Sequence, residues 1–283
     1  MNTTSLQTAA LEKSFAPFRS FLYEAAGIYF HDNNKERLLR HIAERMGATG
    51  KTDPLAYLSL LRGSQGPGGE LWQFFNQVTV NETYFFREPG QFDILRDRVL
   101  PQLFQRRRDE RRADVTLWSA ACSSGEEAYS LAILMKECFP GELATTKILG
   151  LDINSEVVDR ARKGMYNEYS IRHCSEQQRS SYFKKSGNQF ELVPYLRRLA
   201  TFQIANLMDA TSLRGLGRPD LILCRNVLIY FDKASKSKVL HNLAGLLLPP
   251  GYLFLSQSEA LFNIDHRFEL VHFFKSFAYR VKG

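Results

Sequence analysis

The chain has 283 residues, of which 44% are hydrophobic and 24% are charged, and its formal net charge at pH 7 is +7. This composition excludes a wholly disordered chain and a collagen-like or low-complexity protein, and the length predicts two modest domains. The excess of positive charge suits a nucleic acid, an anionic membrane surface or an acidic protein as partner, and composition does not choose among them.

The amino-terminal segment has neither a basic stretch nor an uninterrupted apolar stretch, so we expect no signal peptide. A membrane span needs about 20 consecutive apolar residues, and we expect no membrane insertion. Cys122, Cys138, Cys174 and Cys224 lie far apart in the sequence, which predicts neither a zinc site nor a disulfide framework. The simplest interpretation is a cytoplasmic protein with reduced thiols and no bound metal ion.

Residues 1–78 show helical periodicity without strand alternation and predict a small all-α domain. Its clearest amphipathic segment is 35–46. If this segment is a helix, one side is apolar and carries Leu38, Leu39, Ile42 and Met46. The flank is basic and carries Arg37, Arg40, His41 and Arg45. The pattern is typical of an ordinary solvated helix and equally of a functional basic surface.

Residues 79–112 predict a linker segment followed by a helix. The stretch 81–87 places three aromatic residues among polar ones, and docking of the aromatic rings does not explain the polar side chains. A helix over 92–108 ends in the charged run 105–112. The mixed signs of this run predict a solvated linker helix rather than a nucleic-acid surface.

From residue 113 to 283 short apolar runs alternate with helical periodicity. The runs that predict strands are 115–121, 147–151, 201–203, 220–224 and 252–255. Strands that alternate with helices predict an α/β domain with a mostly parallel sheet. The stretch 166–199 interrupts this alternation, and a turn at 184–188 between two apolar pairs predicts a small β insertion.

Ligands of open α/β sheets bind beyond the carboxyl ends of the strands. The first predicted strand is followed by the turn 120–127, whose small residues let a ligand approach the backbone. Asp152 follows the second strand, Asn206 follows the third, and Arg225 with Asn226 follows the fourth. These strand ends are the candidate binding site.

The turn at 120–127 distinguishes between two adenosine-containing cofactors. An NAD site uses a G-x-G-x-x-G turn to hold a pyrophosphate, whereas this turn has one glycine followed by Glu126 and Glu127. Two carboxylates would repel a pyrophosphate. S-adenosylmethionine has no phosphate and carries a cationic sulfur and an amino group, so the turn favours S-adenosylmethionine.

Three motifs occur in a fixed order along the chain: N-x-T-x-F-F-R at 81–87, WSAACSSGEE at 118–127 and CRNVLIYFD at 224–232. Together they resemble the chemotaxis receptor methyltransferases of the CheR family, over nearly the whole chain. The resemblance implies a Rossmann-like S-adenosylmethionine-dependent methyltransferase domain. It also implies methyl transfer to glutamate side chains of methyl-accepting chemotaxis receptors, with S-adenosylhomocysteine as the second product.

The resemblance also implies roles for individual residues. The expected cofactor-binding residues are Asn81, Thr83, Arg87, Ala121, Glu127, Asp152, Asn206, Leu207, Arg225 and Asn226. Among them Glu127 is expected to take the methionine amino group, Asp152 the ribose, and Asn206 the adenine side. Arg87 and Tyr230 are the residues expected to matter most for the chemical step.

The chemistry of the expected substrate agrees with these residue types. A glutamate carboxylate has an unperturbed pKa of about 4.3, so at neutral pH it is already ionised and needs no general base. What remains is to position the carboxylate, for which Arg87 and the Tyr230 hydroxyl are suitable. Covalent catalysis by Cys122 or Cys224 is not expected, because neither has a histidine partner in the sequence and a buried small residue explains each.

The resemblance implies a partner for the basic flank of the segment 35–46. Receptor methylation helices display clustered acidic residues, so we expect this flank to register an acidic receptor helix rather than a nucleic acid. We also expect a monomer. Family members that tether to a receptor pentapeptide carry a longer glycine-bearing loop in the β insertion, so we expect binding that does not depend on the pentapeptide.

Two other functions stay open at this point. A nucleic-acid methyltransferase is compatible with the positive charge, but Asn226 is followed by Val-Leu-Ile and not by the Pro-Pro-aromatic sequence expected for base-amino methylation. A non-catalytic module that binds receptor or cofactor would keep the fold. The intact Arg87, Asp152 and Tyr230 argue against such a decayed site.

Overall fold

The computed structural model describes residues 3–64, 66, 68–259, 266–274 and 276–282. The predicted fold class, an all-α amino-terminal domain before an α/β domain with a mostly parallel sheet, is confirmed. The helices of the first domain are α1 (Thr3–Ala26), α2 (Lys35–Thr49), α3 (Pro54–Gly63) and α4 (Glu70–Val78).

The helical domain has an apolar core of its own. The rings of Phe18, Tyr57 and Phe74 are fully buried and contact one another with centroid distances of 5.9–6.0 Å. The predicted apolar side of α2 faces this core and is buried at Leu38, Leu39, Ile42 and Met46. Burying one such side chain stabilises a fold by about 1.5–3 kcal/mol, so this face holds α2 in place.

A helical linker joins the two domains. It consists of α5 (Pro89–Ile94), a π-helical turn (Leu95–Val99) and α6 (Leu100–Asp109). The helix therefore begins before the predicted start at residue 92, because Pro89 fits the first turn of a helix, where its missing N–H is not needed.

The charged run at the end of α6 is solvated at Gln105 and at residues 108–111, as predicted, but Arg106, Arg107 and Arg112 are partly buried and paired with carboxylates. Asp220 is fully buried, and its carboxylate contacts Arg106 and Arg112 and accepts a hydrogen bond from Thr116 N at 2.9 Å. Glu142 pairs with Arg107 and Arg108. The run anchors α6 to the sheet, because a buried carboxylate is tolerated only with charged partners.

The strands in chain order are β1 (Val115–Ala120), β2 (Thr146–Asp152), β3 (Met165–Tyr166), β4 (Phe183–Ser186), β5 (Gln189–Leu192), β6 (Ala200–Ile204), β7 (Leu221–Leu223), β8 (Tyr252–Phe254), β9 (Phe268–Phe273) and β10 (Ser276–Val281). Across the described parts of the chain, seven of them form one sheet in the order β6-β2-β1-β7-β8-β10-β9. The first five are parallel, and β10 runs antiparallel to both neighbours. The strand order reverses direction between β1 and β7, where ligand sites of such sheets lie.

Helices cover both faces of this sheet. They are α7 (Glu126–Cys138), α8 (Ser155–Lys163), α9 (Glu176–Tyr182), α10 (Pro194–Arg197), α11 (Ala210–Arg214) and α12 (Lys233–Leu246). Successive residues of β1 point to opposite faces, so Leu117 packs in the cluster around Tyr129 of α7 and Trp118 packs with Leu240 of α12. Within the described ranges, no helix has both the length and the apolar content that a bilayer span requires.

The β insertion is an antiparallel sheet in which, among the described residues, β5 lies between β3 and β4. The predicted turn at 184–188 is shorter than expected. Lys184 and Lys185 lie in β4 and pair with Glu191 and Phe190, so the turn is Gly187 and Asn188 alone. Gly187 has a φ of +59°, which a two-residue hairpin turn requires and glycine adopts without strain.

Candidate active site

A cavity of about 310 Å³ lies at the carboxyl ends of β1, β2 and β7. Its volume is in the lower part of the range of roughly 300–1,000 Å³ that small-molecule sites occupy. The predicted site residues that line it are Asn81, Thr83, Arg87, Ala121, Glu127, Asp152, Asn206, Leu207, Arg225, Asn226 and Tyr230. The structure thus brings together residues of the linker and of several strand ends.

The helical domain forms one wall of the cavity, which the sequence did not indicate. Asn206 donates from Nδ2 to the Ala25 carbonyl at 2.7 Å, although the two residues are 181 positions apart. Ile28 forms an antiparallel bridge with Phe231, and Tyr29 N donates to the Tyr230 carbonyl at 3.5 Å. These contacts fix the end of α1 and the following loop beside the α/β domain.

The turn after β1 bends sharply toward α7. Ala121 and Ser123 have φ values of +62° and +48°, a conformation that costs of order 1–3 kcal/mol for residues other than glycine. Two hydrogen bonds hold the turn in this conformation: Cys122 N donates to the Leu151 carbonyl at 2.9 Å, and Ser123 N donates to Asp152 Oδ2 at 2.8 Å. Gly125 has a φ of +92°, and a Cβ at this position would lie 2.8 Å from the Cβ of Ala161. The turn therefore requires glycine at 125.

The two adjacent glutamates of this turn face different surroundings. Glu127 lines the cavity, and its carboxylate accepts hydrogen bonds from Ser119 Oγ at 2.6 Å and from Arg225 Nη1 at 3.1 Å. Glu126 is buried away from the cavity and accepts from Ser124 and Ser170. Burial raises the pKa of both carboxyl groups, and the Arg225 charge opposes this rise at Glu127. Only Glu127 can meet a ligand.

Asp152 is the second carboxylate of the cavity wall and is 7% exposed. Its Oδ1 accepts from Asn154 N at 2.9 Å, and its Oδ2 accepts from Ser123 N. Burial raises the pKa of this carboxyl group, and the two backbone donors act in the opposite direction. Because a carboxylate oxygen has two lone pairs, each oxygen keeps the capacity to accept a hydrogen bond from a ligand.

Arg225 forms the floor of the cavity and is 6% exposed. Besides Glu127, its guanidinium contacts the Arg87 carbonyl and lies 3.6 Å from Glu88 Oε2. The buried Arg225 cation therefore joins the linker segment to the turn after β1. Its hydrogen bonds are stronger than they would be in water, because the interior of the protein has a low dielectric constant.

Glu259 is a residue that sequence reasoning missed. It is 7% exposed, and its carboxylate accepts from Asn226 N at 2.7 Å and from Ile229 N at 3.2 Å. Asn226 has a φ of +58°, so this carboxylate holds the loop that carries Tyr230 in a strained conformation. No local pattern around Glu259 indicated this contact, which joins positions about one strand and one helix apart.

Arg87 and Tyr230 both line the cavity, and both are partly exposed. Arg87 Nη1 donates to the Glu82 carbonyl at 3.1 Å, and its guanidinium lies 5.4 Å from the Tyr84 ring centroid. Tyr230 is half-buried. Burial raises the pKa of its phenol, while the positive charges of Arg87 and Arg37 act to lower it. The phenol is therefore protonated at neutral pH.

The four basic residues predicted to form one surface on α2 have different environments. Arg45 is bound to Glu70 of α4 by two hydrogen bonds of 2.9 and 2.7 Å, because the helices pack together there. Burial lowers the pKa of His41, so it carries little charge at neutral pH. Arg40 is exposed, and Arg37 lines the cavity. A continuous basic flank is therefore not what the structure contains.

Cys122 and Cys224 are buried, as the sequence interpretation expected. Burial raises the pKa of both thiols well above the usual value. Since the thiolate is the nucleophilic form, neither side chain is suited to covalent catalysis at neutral pH.

The cavity suits a ligand with a cationic group, hydroxyl groups and a flat apolar ring. Glu127 offers a carboxylate to a cation, Asp152 offers acceptors to hydroxyls, and Ile153, Leu207 and Phe231 provide apolar surface. S-adenosylmethionine has all three features. The residues present therefore fit this cofactor.

Comparison with known proteins agrees with this geometry. Residues 13–79 match the family description "CheR methyltransferase, all-alpha domain". Residues 81–276 match "CheR methyltransferase, SAM binding domain". The two matches meet at the junction between the helical domain and the linker segment.

Three similar proteins span almost the whole chain. Chemotaxis protein methyltransferase 2 of Vibrio cholerae is 32% identical and covers 95% of this chain and 92% of its own. The chemotaxis protein methyltransferase of Escherichia coli K12 is 34% identical over 93% of this chain and 91% of its own. Chemotaxis protein methyltransferase 1 of Pseudomonas aeruginosa is 32% identical over 97% and 100%. The chain therefore belongs to the CheR methyltransferase family and is an S-adenosylmethionine-dependent methyltransferase.

Proposed function

We propose that this methyltransferase converts glutamate side chains of chemotaxis receptors into methyl esters, with S-adenosylhomocysteine as the other product. The observation that carries the proposal is that the partly exposed Arg87 and Tyr230 line the same cavity as the carboxylates of Glu127 and Asp152. The names of the similar proteins, chemotaxis protein methyltransferases, support the same class of substrate.

The interior of the cavity is the proposed cofactor site. Glu127 holds the methionine amino group, Asp152 accepts hydrogen bonds from the ribose, and Asn206 with Leu207 lies beside the adenine. The remaining proposed contacts are Asn81, Thr83, Arg87, Ala121, Arg225 and Asn226. When bound, S-adenosylmethionine supplies a methyl group on a cationic sulfur, which is already activated for transfer.

In this proposal Arg87 and Tyr230 hold the substrate carboxylate in place. The receptor carboxylate is ionised at neutral pH, so no residue of the chain needs to remove a proton. Tyr230 is protonated and donates a hydrogen bond to one carboxylate oxygen. Arg87 is held by the Glu82 carbonyl and by the Tyr84 ring, so its charge keeps its place at the cavity and orients the substrate carboxylate.

The helical domain (1–78) is the proposed receptor-facing part, with the linker (79–112) between it and the methyltransferase domain (113–283). The exposed Arg40 fits an acidic receptor helix in the cytoplasm by charge. We further propose that binding is independent of a receptor pentapeptide. Support comes from the two-residue turn at Gly187 and from the exposed lysines Lys184 and Lys185 on the outer strand β4, since lysines on an edge strand disfavour pairing with a further strand.

Labelling with methyl-tritiated S-adenosylmethionine tests the proposed function. The enzyme is incubated with membranes that contain the organism's receptors, and the expected result is label on the receptors that mild base releases as methanol. The control is a receptor with glutamine at the methylation positions, which must not be labelled. Base-stable label, or label on RNA instead of receptor, contradicts the proposal.

A further inference from the structure

Arg37 is a cationic residue of the helical domain that lines the cavity. It lies in the first turn of α2 and lines the same cavity as Arg87 and Tyr230. Its guanidinium carbon lies 5.3 Å from the ring centroid of Phe30, which also lines the cavity. The ring limits the directions in which the cationic end can point.

The backbone fixes this placement. The loop before α2 is joined to the catalytic domain by the bridge between Ile28 and Phe231 and by the hydrogen bond from Tyr29 N to the Tyr230 carbonyl. The start of α2 and the loop that carries Tyr230 therefore form one wall. The positive charges of Arg37 and Arg87 both act to lower the pKa of the Tyr230 phenol.

Three basic residues near Arg37 in the helical domain have acidic partners. Arg45 pairs with Glu70, Arg19 pairs with Asp32, and Lys35 pairs with Glu12. In the described part of the chain, Arg37 pairs with no carboxylate, and its buried Nε has no hydrogen-bond acceptor. The protein therefore leaves the charge of Arg37 without an ion pair, which suits a ligand that brings a carboxylate into the cavity.

We infer that Arg37 binds the carboxylate of the substrate glutamate beside Tyr230, so that the helical domain contributes a residue to the reaction centre. The inference rests on the proposed function. Arg37 holds one carboxylate oxygen, and a lone pair of the other oxygen forms the new bond to the methyl carbon. The bond from that carbon to sulfur breaks, and its electron pair stays on the sulfur. No proton moves.

This role differs from electrostatic attraction between protein surfaces. Arg40 is exposed one turn along the same helix and therefore acts on the receptor through solvent, where salt screens its charge over about 10 Å at 0.1 M. Arg37 acts inside a cavity, where its contact is with a single carboxylate. If the substrate glutamate is replaced by glutamine, the contribution of Arg37 to receptor binding must therefore disappear, whereas the contribution of Arg40 must remain.

The test measures binding by calorimetry, with S-adenosylhomocysteine present and with the full-length enzyme. The probes are two forms of a receptor cytoplasmic fragment from the same organism, one with glutamate and one with glutamine at the methylation positions. The wild-type enzyme is expected to prefer the glutamate form by about tenfold or more, as a charge-assisted hydrogen bond permits. Arg37→Gln is expected to abolish this preference. Arg40→Gln is expected to weaken the binding of both fragments equally and to keep the preference.

Three results would overturn the inference. If wild-type enzyme shows no preference for the glutamate form, the inference fails, whereas the proposed function stands or falls with the labelling of receptors. If Arg37→Gln keeps the full preference, the proposed function stands and the role of Arg37 does not. If Arg37→Gln loses S-adenosylhomocysteine binding in a titration without receptor, Arg37 acts on the cofactor and not on the substrate.

Discussion

The guanidinium of Arg225 lies 3.1 Å from the carboxylate of Glu127, and both residues line the cavity, Arg225 buried and Glu127 partly exposed. Burial raises the pKa of Glu127, and the Arg225 charge opposes that rise because it favours the carboxylate form of Glu127. The same guanidinium contacts the Arg87 carbonyl in the linker. A change at either residue therefore alters both the charge of the site and its attachment to the linker.

Glu127→Gln removes the carboxylate proposed to hold the methionine amino group. We expect the dissociation constant for S-adenosylmethionine to rise about tenfold or more, because a charge-assisted hydrogen bond is lost. Isothermal titration at neutral pH measures the change. The matched control is Glu126→Gln, whose side chain is buried away from the cavity and whose affinity should stay within about twofold of wild type. Equal losses in the two variants would disprove the assignment.

Tyr230→Phe removes the hydroxyl proposed to donate to the substrate carboxylate. We expect kcat to fall about tenfold or more, with unchanged affinity for the cofactor. The control is Tyr23→Phe, whose hydroxyl bonds Asp232 outside the cavity at 3.1 Å and whose loss should leave kcat near the wild-type value.

The pH dependence of kcat gives a separate test of Tyr230. Because burial raises the pKa of this phenol above 10, the hydroxyl stays protonated from neutral pH to pH 9. We expect kcat to show no decrease from ionisation of Tyr230 in that range. A decrease between pH 7 and 9 that is present in the wild type and absent in Tyr230→Phe would contradict this.

Asp220→Asn tests the anchoring of α6. Removing one partner from a buried ion pair costs about 3–5 kcal/mol, and Asp220 is fully buried between Arg106 and Arg112. We expect a loss of that order in the free energy of unfolding, measured with urea. Glu142→Gln breaks a more exposed pair of the same run and should cost no more than about 1 kcal/mol. Similar losses of stability in Asp220→Asn and Glu142→Gln would mean that the greater burial of Asp220 does not make its ion pairs more important.

Pentapeptide independence is tested by titrating the enzyme with the carboxyl-terminal pentapeptide of a receptor. We expect no heat that differs from that of a scrambled peptide at concentrations up to about 100 μM, because the hairpin of β4 and β5 has a two-residue turn and Lys184 and Lys185 on its outer strand. A dissociation constant in the micromolar range or tighter would contradict the proposal. Competition by the pentapeptide in receptor methylation would contradict it as well.

Local sequence features determined the secondary structure around the site. Hydrophobic runs predicted β1, β2, β6, β7 and β8, and these strands were confirmed. Strand ends of a parallel sheet meet at one edge whatever the details of packing, so Glu127, Asp152 and Asn206 were correctly expected to lie close together. The ordered motifs at 81–87, 118–127 and 224–232 were sufficient to identify the family.

Side-chain partners far apart in the chain were decided only by tertiary structure. The periodicity of α2 placed Arg37 and Arg45 on one flank, but packing against α4 pairs Arg45 with Glu70, and the loop before α2 brings Arg37 to the cavity. The charged run near Arg106 looked solvated because its buried partner is 114 positions away.

The same limit applies to Glu259, which supports the loop at Asn226 from a distance of 33 positions. Hydrophobic periodicity reports which face of an element is buried, and motifs report groups that lie close in the chain. Neither reports which distant charge a buried polar group meets, because that depends on how whole elements pack. The sequence by itself therefore determined the fold and the cofactor class of this protein, and the tertiary structure decided which charges reach the cavity.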